Sequence, residues 1–471
     1  MFSFFFAIIS GFILCFAFPP FKYWFLAWFG FVPILFLMDE KSPGRNFLKG
    51  FLSGFVFYVF LLNWIYSVAG FFYLLIAVYL ALFWGVFFSL VFTFPERTRI
   101  LIGACLWYFF EIVVRHLISG FPWIFFSLSQ WFFPKTGCIS AIIGSNGLSG
   151  LIIAANFSLF WMIKYKKFYP VSVTAVIVII LYFAATFNIS QEKRDTFIKI
   201  AAIQGNSGYF GQNPEESFEN YKELTESLKS KYDLVVWPES SYPAILQDNA
   251  EAFNYLVNKS RSFPLLVGTM SEEKTNLYNS AYYFNDGKAV KYSKRHLVPF
   301  GEYVPGKSFQ IIKKIYSQFS DIFPEVTPGD TSSIFHLSTC KFSVLICFEN
   351  IFPEIALQDV KNHPDFTVVI TNDSWYGNSF GPYQHFAHNI FRSYETGRSI
   401  VQVSTTGITG LVSPSGDVKI YQKNEKNLFV DGIMTILVPC TRKMKTFYST
   451  VGDVGIFVVF LLITGVCLCR I

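Results

Sequence analysis

Seven stretches of apolar residues, each close to the ~20 that a helix needs to cross a bilayer, fill the chain before residue 190. They run over residues 3–18, 22–38, 48–66, 70–94, 100–118, 138–163 and 170–188, and an eighth follows at 453–469. Hydrocarbon offers the backbone no hydrogen-bond partner, so stretches of this kind are confined to helices that pair their own N–H and C=O groups. Residues 191–445 hold most of the acidic and basic side chains. The sequence thus divides into a membrane domain with seven transmembrane helices (1–190), a polar domain (191–445), and a final transmembrane helix with a short tail (446–471). At 52% hydrophobic and 15% charged, the whole is too apolar for one soluble globular domain. The first stretch has no basic segment before it and more spans follow at once, so a retained span is expected and not a cleaved signal peptide.

Basic residues set the orientation. Lys41, Arg45 and Lys49, then Arg97 and Arg99, then Lys164, Lys166 and Lys167 occupy alternate loops, and Arg470 follows the last span. The opposite loops hold little more than Lys22 and Lys135. The positive-inside rule places the first set in the cytoplasm and the polar domain outside it. The net charge of +6 forms no basic stripe with interleaved aromatics, which excludes a nucleic-acid footprint.

The polar domain alternates strand and helix signals. Short apolar runs at Phe197–Ile203, Asp233–Trp237, Leu265–Val267, Phe342–Ile346, Phe366–Ile370 and Ile400–Val403 read as strands. Helical patterns lie at Glu215–Lys229 and Tyr383–Thr396, and Asn285-Asp286-Gly287 marks a hairpin between 279–284 and 289–292. The domain is expected to be a layered sheet-and-helix fold.

Three segments place a reactive side chain at the end of such a strand, where sheet domains commonly put their sites. They are Val235-Val236-Trp237-Pro238-Glu239-Ser240, the run from Lys294 to Pro305, and Val344-Leu345-Ile346-Cys347-Phe348-Glu349-Asn350. A thiol attacks only as thiolate, and an ordinary cysteine has a pKa of about 8.5. Glu239 can take the thiol proton as general base. The Lys294 ammonium and the Phe348 backbone N–H can stabilise an oxyanion. Together Glu239, Lys294 and Cys347 make a complete acyl-transfer set.

These segments resemble the nitrilase (carbon-nitrogen hydrolase) superfamily, whose members carry a Glu-Lys-Cys triad on an αββα sandwich. The resemblance is closest to the apolipoprotein N-acyltransferase family and covers nearly the whole chain. It rests on Phe18-Pro19-Pro20 with Pro33, on Glu111, Arg115, Gly120-Phe121-Pro122-Trp123 and Gln130, and on Gln204-Gly205-Asn206. It rests further on the 297–305 run LVPFGEYVP, on Asn372-Asp373-Ser374-Trp375-Tyr376-Gly377 with Gly381-Pro382-Tyr383-Gln384-His385, and on Thr405-Thr406-Gly407-Ile408-Thr409. The resemblance implies a multi-span α-helical membrane domain plus a nitrilase-like αββα domain. It implies catalytic Glu239, Lys294 and Cys347, with Glu302 and Glu349 in support, and Trp237, Trp375 and Tyr303 as candidate substrate contacts or lid. It also implies a bacterial inner-membrane protein with its catalytic domain in the periplasm, a phospholipid acyl donor, a diacylglyceryl-cysteine apolipoprotein acceptor, a Cys347 thioester and no cofactor or metal. Where the family usually has tyrosine after the nucleophile, this chain has Phe348. A membrane-tethered amidase with the same triad is the closest rival. A transporter is disfavoured because the spans lack paired Gly/Pro-broken segments.

Other features carry less. Gly301 to Ser308 satisfies the P-loop pattern, but Pro305 removes a backbone donor and Glu302 would face the phosphate. His385 and His388 are expected to serve packing and hydrogen bonding, since a catalytic zinc takes three protein ligands. Glu111 and Arg115 stand one turn apart in an apolar helix, where they can pair with each other or serve a lipid or the fold. Gly50 and Gly54 are read as helix packing before self-association. The eight cysteines show neither a disulfide framework nor CxxC spacing.

Overall fold

The computed structural model describes residues 2–190, 196–207, 212–306, 325–332, 334–440 and 445–469. Seven of the eight expected spans coincide with helices: α1 (Phe2–Cys15), α2 (Pro43–Leu61), α3 (Tyr73–Val91), α4 (Arg99–His116), α5 (Ser140–Tyr165), α6 (Tyr169–Ser190) and, at the end of the chain, Phe447–Cys469. Among the described residues, three stretches are long and apolar enough to cross a membrane: Asn63–Val91, Ser140–Tyr165 and Tyr169–Phe187. The second expected span is not one helix. It breaks into a 3-10 turn, Trp24–Trp28, and a four-residue helix, Val32–Leu35. Pro33 has no N–H to continue a helix. Asn156 of α5 satisfies the broken backbone, its Oδ1 accepting the Phe31 N–H at 2.8 Å and its Nδ2 donating to the Ala27 carbonyl at 2.8 Å. Non-helical backbone at membrane depth is tolerable only with such partners.

Gly50 and Gly54 face α3: a Cβ on Gly50 would meet Phe88 and the Trp84 carbonyl at 2.7 Å, and one on Gly54 would meet Trp84 at 2.8 Å. That face is therefore occupied within the chain.

The α/β region holds two sheets. The first contains β1 (Phe197–Gln204), β2 (Leu234–Val236), β3 (Tyr242–Ile245), β4 (Leu265–Glu273), β5 (Asn276–Asn285), β6 (Lys288–Ser293) and the late strand β13 (Gly432–Pro439), in the order β13-β1-β2-β4-β5-β6 with β3 on β4. The second runs β12-β11-β10-β9-β8-β7, from β7 (Ile334–His336), β8 (Lys341–Ile346), β9 (Phe366–Thr371), β10 (Ser399–Ser404), β11 (Gly410–Val412) and β12 (Val418–Ile420). In each sheet three neighbouring strands are parallel: β1, β2 and β4, and β8, β9 and β10. Strand alternation sends Ile200, Ala202 and Val236 inward against Val344, Ile346, Val368 and Val403. The outer face of the first sheet is covered by α7 (Pro214–Glu226) and α8 (Ala250–Lys259). The outer face of the second is covered by α9 (Pro353–Val360) and α10 (Gly381–Thr396). The result is the expected αββα sandwich, and its second helical layer shares one apolar core with the membrane helices.

Two polar joints fix that contact. Gln384 of α10 is fully buried; its Oε1 accepts Trp64 Nε1 at 2.9 Å and Trp123 Nε1 at 2.8 Å, and its Nε2 donates to the Leu61 carbonyl at 2.9 Å. Arg115 does not pair with Glu111. It bonds Asp453 of the last helix and lies 3.4 Å from Glu354 of α9. Glu111 instead accepts Trp107 Nε1 at 3.0 Å and the Phe126 N–H at 2.8 Å.

The cysteine expectation is overturned at one pair: Cys340 and Cys440 form a disulfide, with Cα atoms 6.1 Å apart. Cys340 precedes β8 and Cys440 follows β13, so the bridge joins the two sheets across 100 residues of sequence. A pairing created by two sheets facing each other leaves no mark in spacing.

Candidate active site

The site gathers at the carboxyl ends of β2, β8 and β9 and the end of β6. β2 stops at Val236 and the chain turns through Trp237-Pro238-Glu239-Ser240, with Ser240 at φ +54°. The turn lies directly on β4, where a Cβ at Gly268 would come within 2.5 Å of the Glu239 Cα. Glu239 is buried; its Oε1 accepts Asn279 Nδ2 at 2.7 Å and its Oε2 accepts the Asn372 N–H at 2.7 Å. Trp237 stays on the outer face with Val235, and the turn that begins after Val236 carries Glu239 off that alternation. Trp237 is fully buried 5.3 Å from Tyr221 and 5.9 Å from Phe218, and its Nε1 donates to Thr225 at 2.9 Å. Trp237 therefore belongs to the outer core, and its candidacy as a substrate contact or lid is corrected.

Lys294 follows β6 and is 1% exposed. Its Nζ lies 2.9 Å from Glu302 Oε2 and 3.6 Å from Glu239 Oε1. Glu302 also accepts the Val298 N–H at 2.7 Å, which closes the loop, and Asn279 Nδ2 at 2.8 Å. Burial disfavours the lysine charge, but Glu302, Glu239 and Cys347 outweigh it and raise the Lys294 pKa. The side chain stays an ammonium.

Cys347 follows β8 with φ +52° and opens the 3-10 turn Cys347–Ile351. The first N–H groups of a helix lack intrahelical acceptors, and that of Phe348 follows the nucleophile directly in this turn. Burial, then the Glu239 charge, push the thiol pKa well above its ordinary value, and Lys294 opposes them. Glu349 is fully buried behind the elbow. It accepts the Arg295 N–H at 2.7 Å, the Ile346 N–H at 2.7 Å and the Tyr292 hydroxyl at 2.8 Å. The three side chains picked from sequence thus form one buried cluster, with Glu302 and Glu349 bracing two of them.

The remaining candidates sit differently. Trp375, 37% exposed, accepts the Ser67 hydroxyl on its carbonyl at 3.4 Å, and half-buried Tyr303 follows exposed Phe300 on the Lys294 loop. His385 and His388 face different partners: His385 spans Asp373 Oδ1 at 2.9 Å and the Cys347 carbonyl at 3.2 Å, whereas His388 meets the Trp123 carbonyl at 3.0 Å. Lys307 and Ser308 of the P-loop match, Arg470 of the charge pattern, and the Cys467 and Cys469 side chains lie outside the described residues. Asn279 escaped the sequence reading as a site residue, and Tyr376 entered it only as part of a motif. An asparagine inside a strand is unusual and was the available signal for the first.

The N-terminal region matches the model of the apolipoprotein N-acyltransferase N-terminal domain over residues 10–158, and the polar region matches the carbon-nitrogen hydrolase model over residues 199–427. An apolipoprotein N-acyltransferase of Wigglesworthia glossinidia brevipalpis is 30% identical over 446 residues, covering 88% of this chain and 88% of that protein. The chain belongs to the apolipoprotein N-acyltransferase family. The relative from Geobacter metallireducens is also 30% identical and covers 95% of this chain and 91% of its own length. Among solved structures, a carbon-nitrogen hydrolase superfamily protein from Xanthomonas campestris aligns with 52% of this chain and 91% of its own at 14% identity and a TM-score of 0.40. The protein is an acyltransferase of the carbon-nitrogen hydrolase superfamily and a bacterial membrane protein.

Proposed function

We propose that this acyltransferase moves a fatty acyl group from a phospholipid to the α-amino group of the diacylglyceryl-cysteine at the N-terminus of an apolipoprotein, through a thioester on Cys347. The observation that carries the reading is one buried cluster of the Cys347 thiol, the Glu239 carboxylate and the Lys294 ammonium, next to the Phe348–Trp123 and His296–Ser119 contacts that join the sandwich to the helical region. Glu239 takes the thiol proton and the sulfur attacks the ester carbonyl. Lys294 and the Phe348 N–H hold the oxyanion. The C–O bond breaks, the proton passes from Glu239 to the departing lysophospholipid hydroxyl, and the acyl thioester remains. The amine then attacks, Glu239 takes its proton, and the C–S bond breaks to release the amide. The thioester keeps the acyl group activated, so the transfer calls for no metal or cofactor.

Both substrates are lipids, and a site at the bilayer face keeps water from the thioester. The polar domain is placed on the periplasmic side of the inner membrane. The alternating basic loops support this, and so does the Cys340–Cys440 disulfide, a bond suited to an oxidising compartment.

The test is the intact mass of purified protein given phospholipid and no acceptor. An acyl adduct is expected on Cys347, labile to hydroxylamine, absent in Cys347→Ala, and transferred as an amide to an added diacylglyceryl peptide. Turnover with an unmodified Cys347 would overturn the thioester route, and release of free acid alone would point to an amidase.

A further inference from the structure

We propose that His385 is a positioning residue for the oxyanion site: its Nε2–H holds the Cys347 carbonyl, and so aims and strengthens the Phe348 N–H of the same peptide. The inference rests on the thioester chemistry above and deepens it. His385 lies on α10 and is fully buried. Its Nε2 stands 3.2 Å from the Cys347 carbonyl oxygen, and its Nδ1 stands 2.9 Å from Asp373 Oδ1. A carbonyl can only accept, so Nε2 carries a hydrogen. Asp373 follows β9, the parallel neighbour of the strand that delivers Cys347, and also accepts the Thr371 hydroxyl at 2.9 Å and the Ser404 hydroxyl at 3.3 Å. A second proton therefore lies between Nδ1 and Oδ1. Wherever along that bond it sits, the Nε2–H remains a donor to the elbow.

Packing holds the ring in this pose. The Trp123 ring stacks on it at 5.5 Å and 23°, and Tyr376 meets it edge-on at 6.0 Å. Asn350, in the same 3-10 turn as Cys347, donates its Nδ2 to the His385 carbonyl at 3.3 Å and to Asn389 Oδ1 at 3.0 Å, so α10 grips the elbow at both ends. The elbow needs that grip, because Cys347 sits at φ +52°, a conformation that residues with a Cβ rarely adopt. In a trans peptide the C=O and the N–H point in opposite directions within one plane. Holding the Cys347 carbonyl toward α10 therefore turns the Phe348 N–H away from α10 and fixes its direction. A hydrogen bond to the carbonyl also polarises the peptide and makes its N–H a stronger donor. Glu349 fixes the peptide before the nucleophile through the Ile346 N–H, and His385 fixes the one after it. Both half-reactions place negative charge on the acyl oxygen, so the same N–H serves twice.

The experiment compares full-length wild type, His385→Gln and His385→Asn. Glutamine places an amide N–H near the position of Nε2 and can reach the Cys347 carbonyl. Asparagine reaches only as far as Nδ1 and can pair only with Asp373. Two single-turnover rates are read by intact mass. Acyl-adduct formation from phospholipid passes through an oxyanion; Cys347 alkylation by iodoacetamide displaces iodide and forms none. His385→Asn is expected to slow acylation on the order of 10- to 100-fold, less than deleting an oxyanion donor outright, while alkylation stays within about threefold of wild type. His385→Gln is expected to acylate about tenfold faster than His385→Asn, because it keeps the hydrogen bond to the carbonyl. Equal losses in acylation and alkylation would make His385 a packing residue and overturn the proposal. So would glutamine doing no better than asparagine, or an asparagine variant that acylates like wild type. If both amides fail to fold, 2-thienylalanine at position 385 keeps the ring and its stacking but offers no N–H, and the same split between acylation and alkylation decides. If the wild type forms no acyl adduct, the thioester reading fails, and the rates of amide formation on a diacylglyceryl peptide decide for His385 in place of the acylation rates.

Discussion

The Glu349 carboxylate accepts the backbone N–H of Arg295 at 2.7 Å, and so ties the loop carrying Lys294 to the elbow carrying Cys347. The same carboxylate accepts the Ile346 N–H at 2.7 Å, immediately before the nucleophile. Every one of these partners is a donor. Glutamine would offer one acceptor oxygen and turn its own amide donor toward an N–H. Glu349→Gln is therefore expected to lower the acylation rate about 100-fold, the scale of a misplacement near 1 Å. Single-turnover formation of the Cys347 adduct checks this. A rate within threefold of wild type in a folded variant would remove Glu349 from the positioning role.

Charge around the thiol sets two variants in opposite directions. Burial and Glu239 raise the Cys347 pKa, and Lys294 lowers it. A raised thiol pKa means less thiolate at pH 7, so alkylation should climb only as pH rises through the alkaline range. Glu239→Gln removes a negative charge and should lower the alkylation midpoint, even as acyl transfer is lost with the general base. Lys294→Met removes the positive charge and should raise it. Midpoints moving the other way would contradict the electrostatics of the pocket.

Lys294 and Lys307 separate the acyl-transfer reading from the nucleotide-binding motif. Removing an oxyanion donor costs about 10²–10³ in rate, and Lys294→Ala also leaves Glu239 and Glu302 close together with no cation between them. Its activity should fall at least that far, whereas Lys307→Ala should stay near wild type. In vitro transfer to a diacylglyceryl peptide measures both; an essential Lys307 would bring the P-loop reading back.

What could be read from sequence followed short-range rules. Each apolar run expected to form a strand contains or lies within an observed strand, apart from the turn residues at the ends of Asp233–Trp237. Glu239, Lys294 and Cys347 were legible because each closes a strand signal, and strand ends converge in a two-sheet fold. Trp237 was misjudged because it stands two residues before Glu239, where a continuing pleat would give both one face; the strand ends at Val236, and the turn re-aims Glu239 while Trp237 stays in the outer core with Val235. The 22–38 run reads as a helix by composition; Pro33 and the distant Asn156 together make the break viable. Tyr376 and Gln384 were visible as parts of motifs, but their partners lie on other elements: the Trp64 and Trp123 rings stand beside the first and donate to the amide oxygen of the second. Such pairings exist only once the membrane helices dock on the sandwich.

The Cys340–Cys440 bridge gives a test of both stability and compartment. It closes a loop of 100 residues, so in the chain-entropy view its loss frees a large part of the unfolded ensemble. Replacing both cysteines with serine is expected to cost about 2–4 kcal/mol, read as a lower thermal midpoint of the purified protein. The same pair reports on sidedness. With the polar domain in the periplasm, a membrane-impermeant maleimide added to intact cells should leave Cys340 and Cys440 unlabelled until a reductant is added, and label both afterwards. A cytoplasmic domain would behave differently at each step, because glutathione would keep both thiols reduced and the bilayer would shield them from the impermeant reagent. Labelling that requires a permeant maleimide but no reductant would reverse the orientation, and with it the placement of the Cys347 site on the periplasmic face.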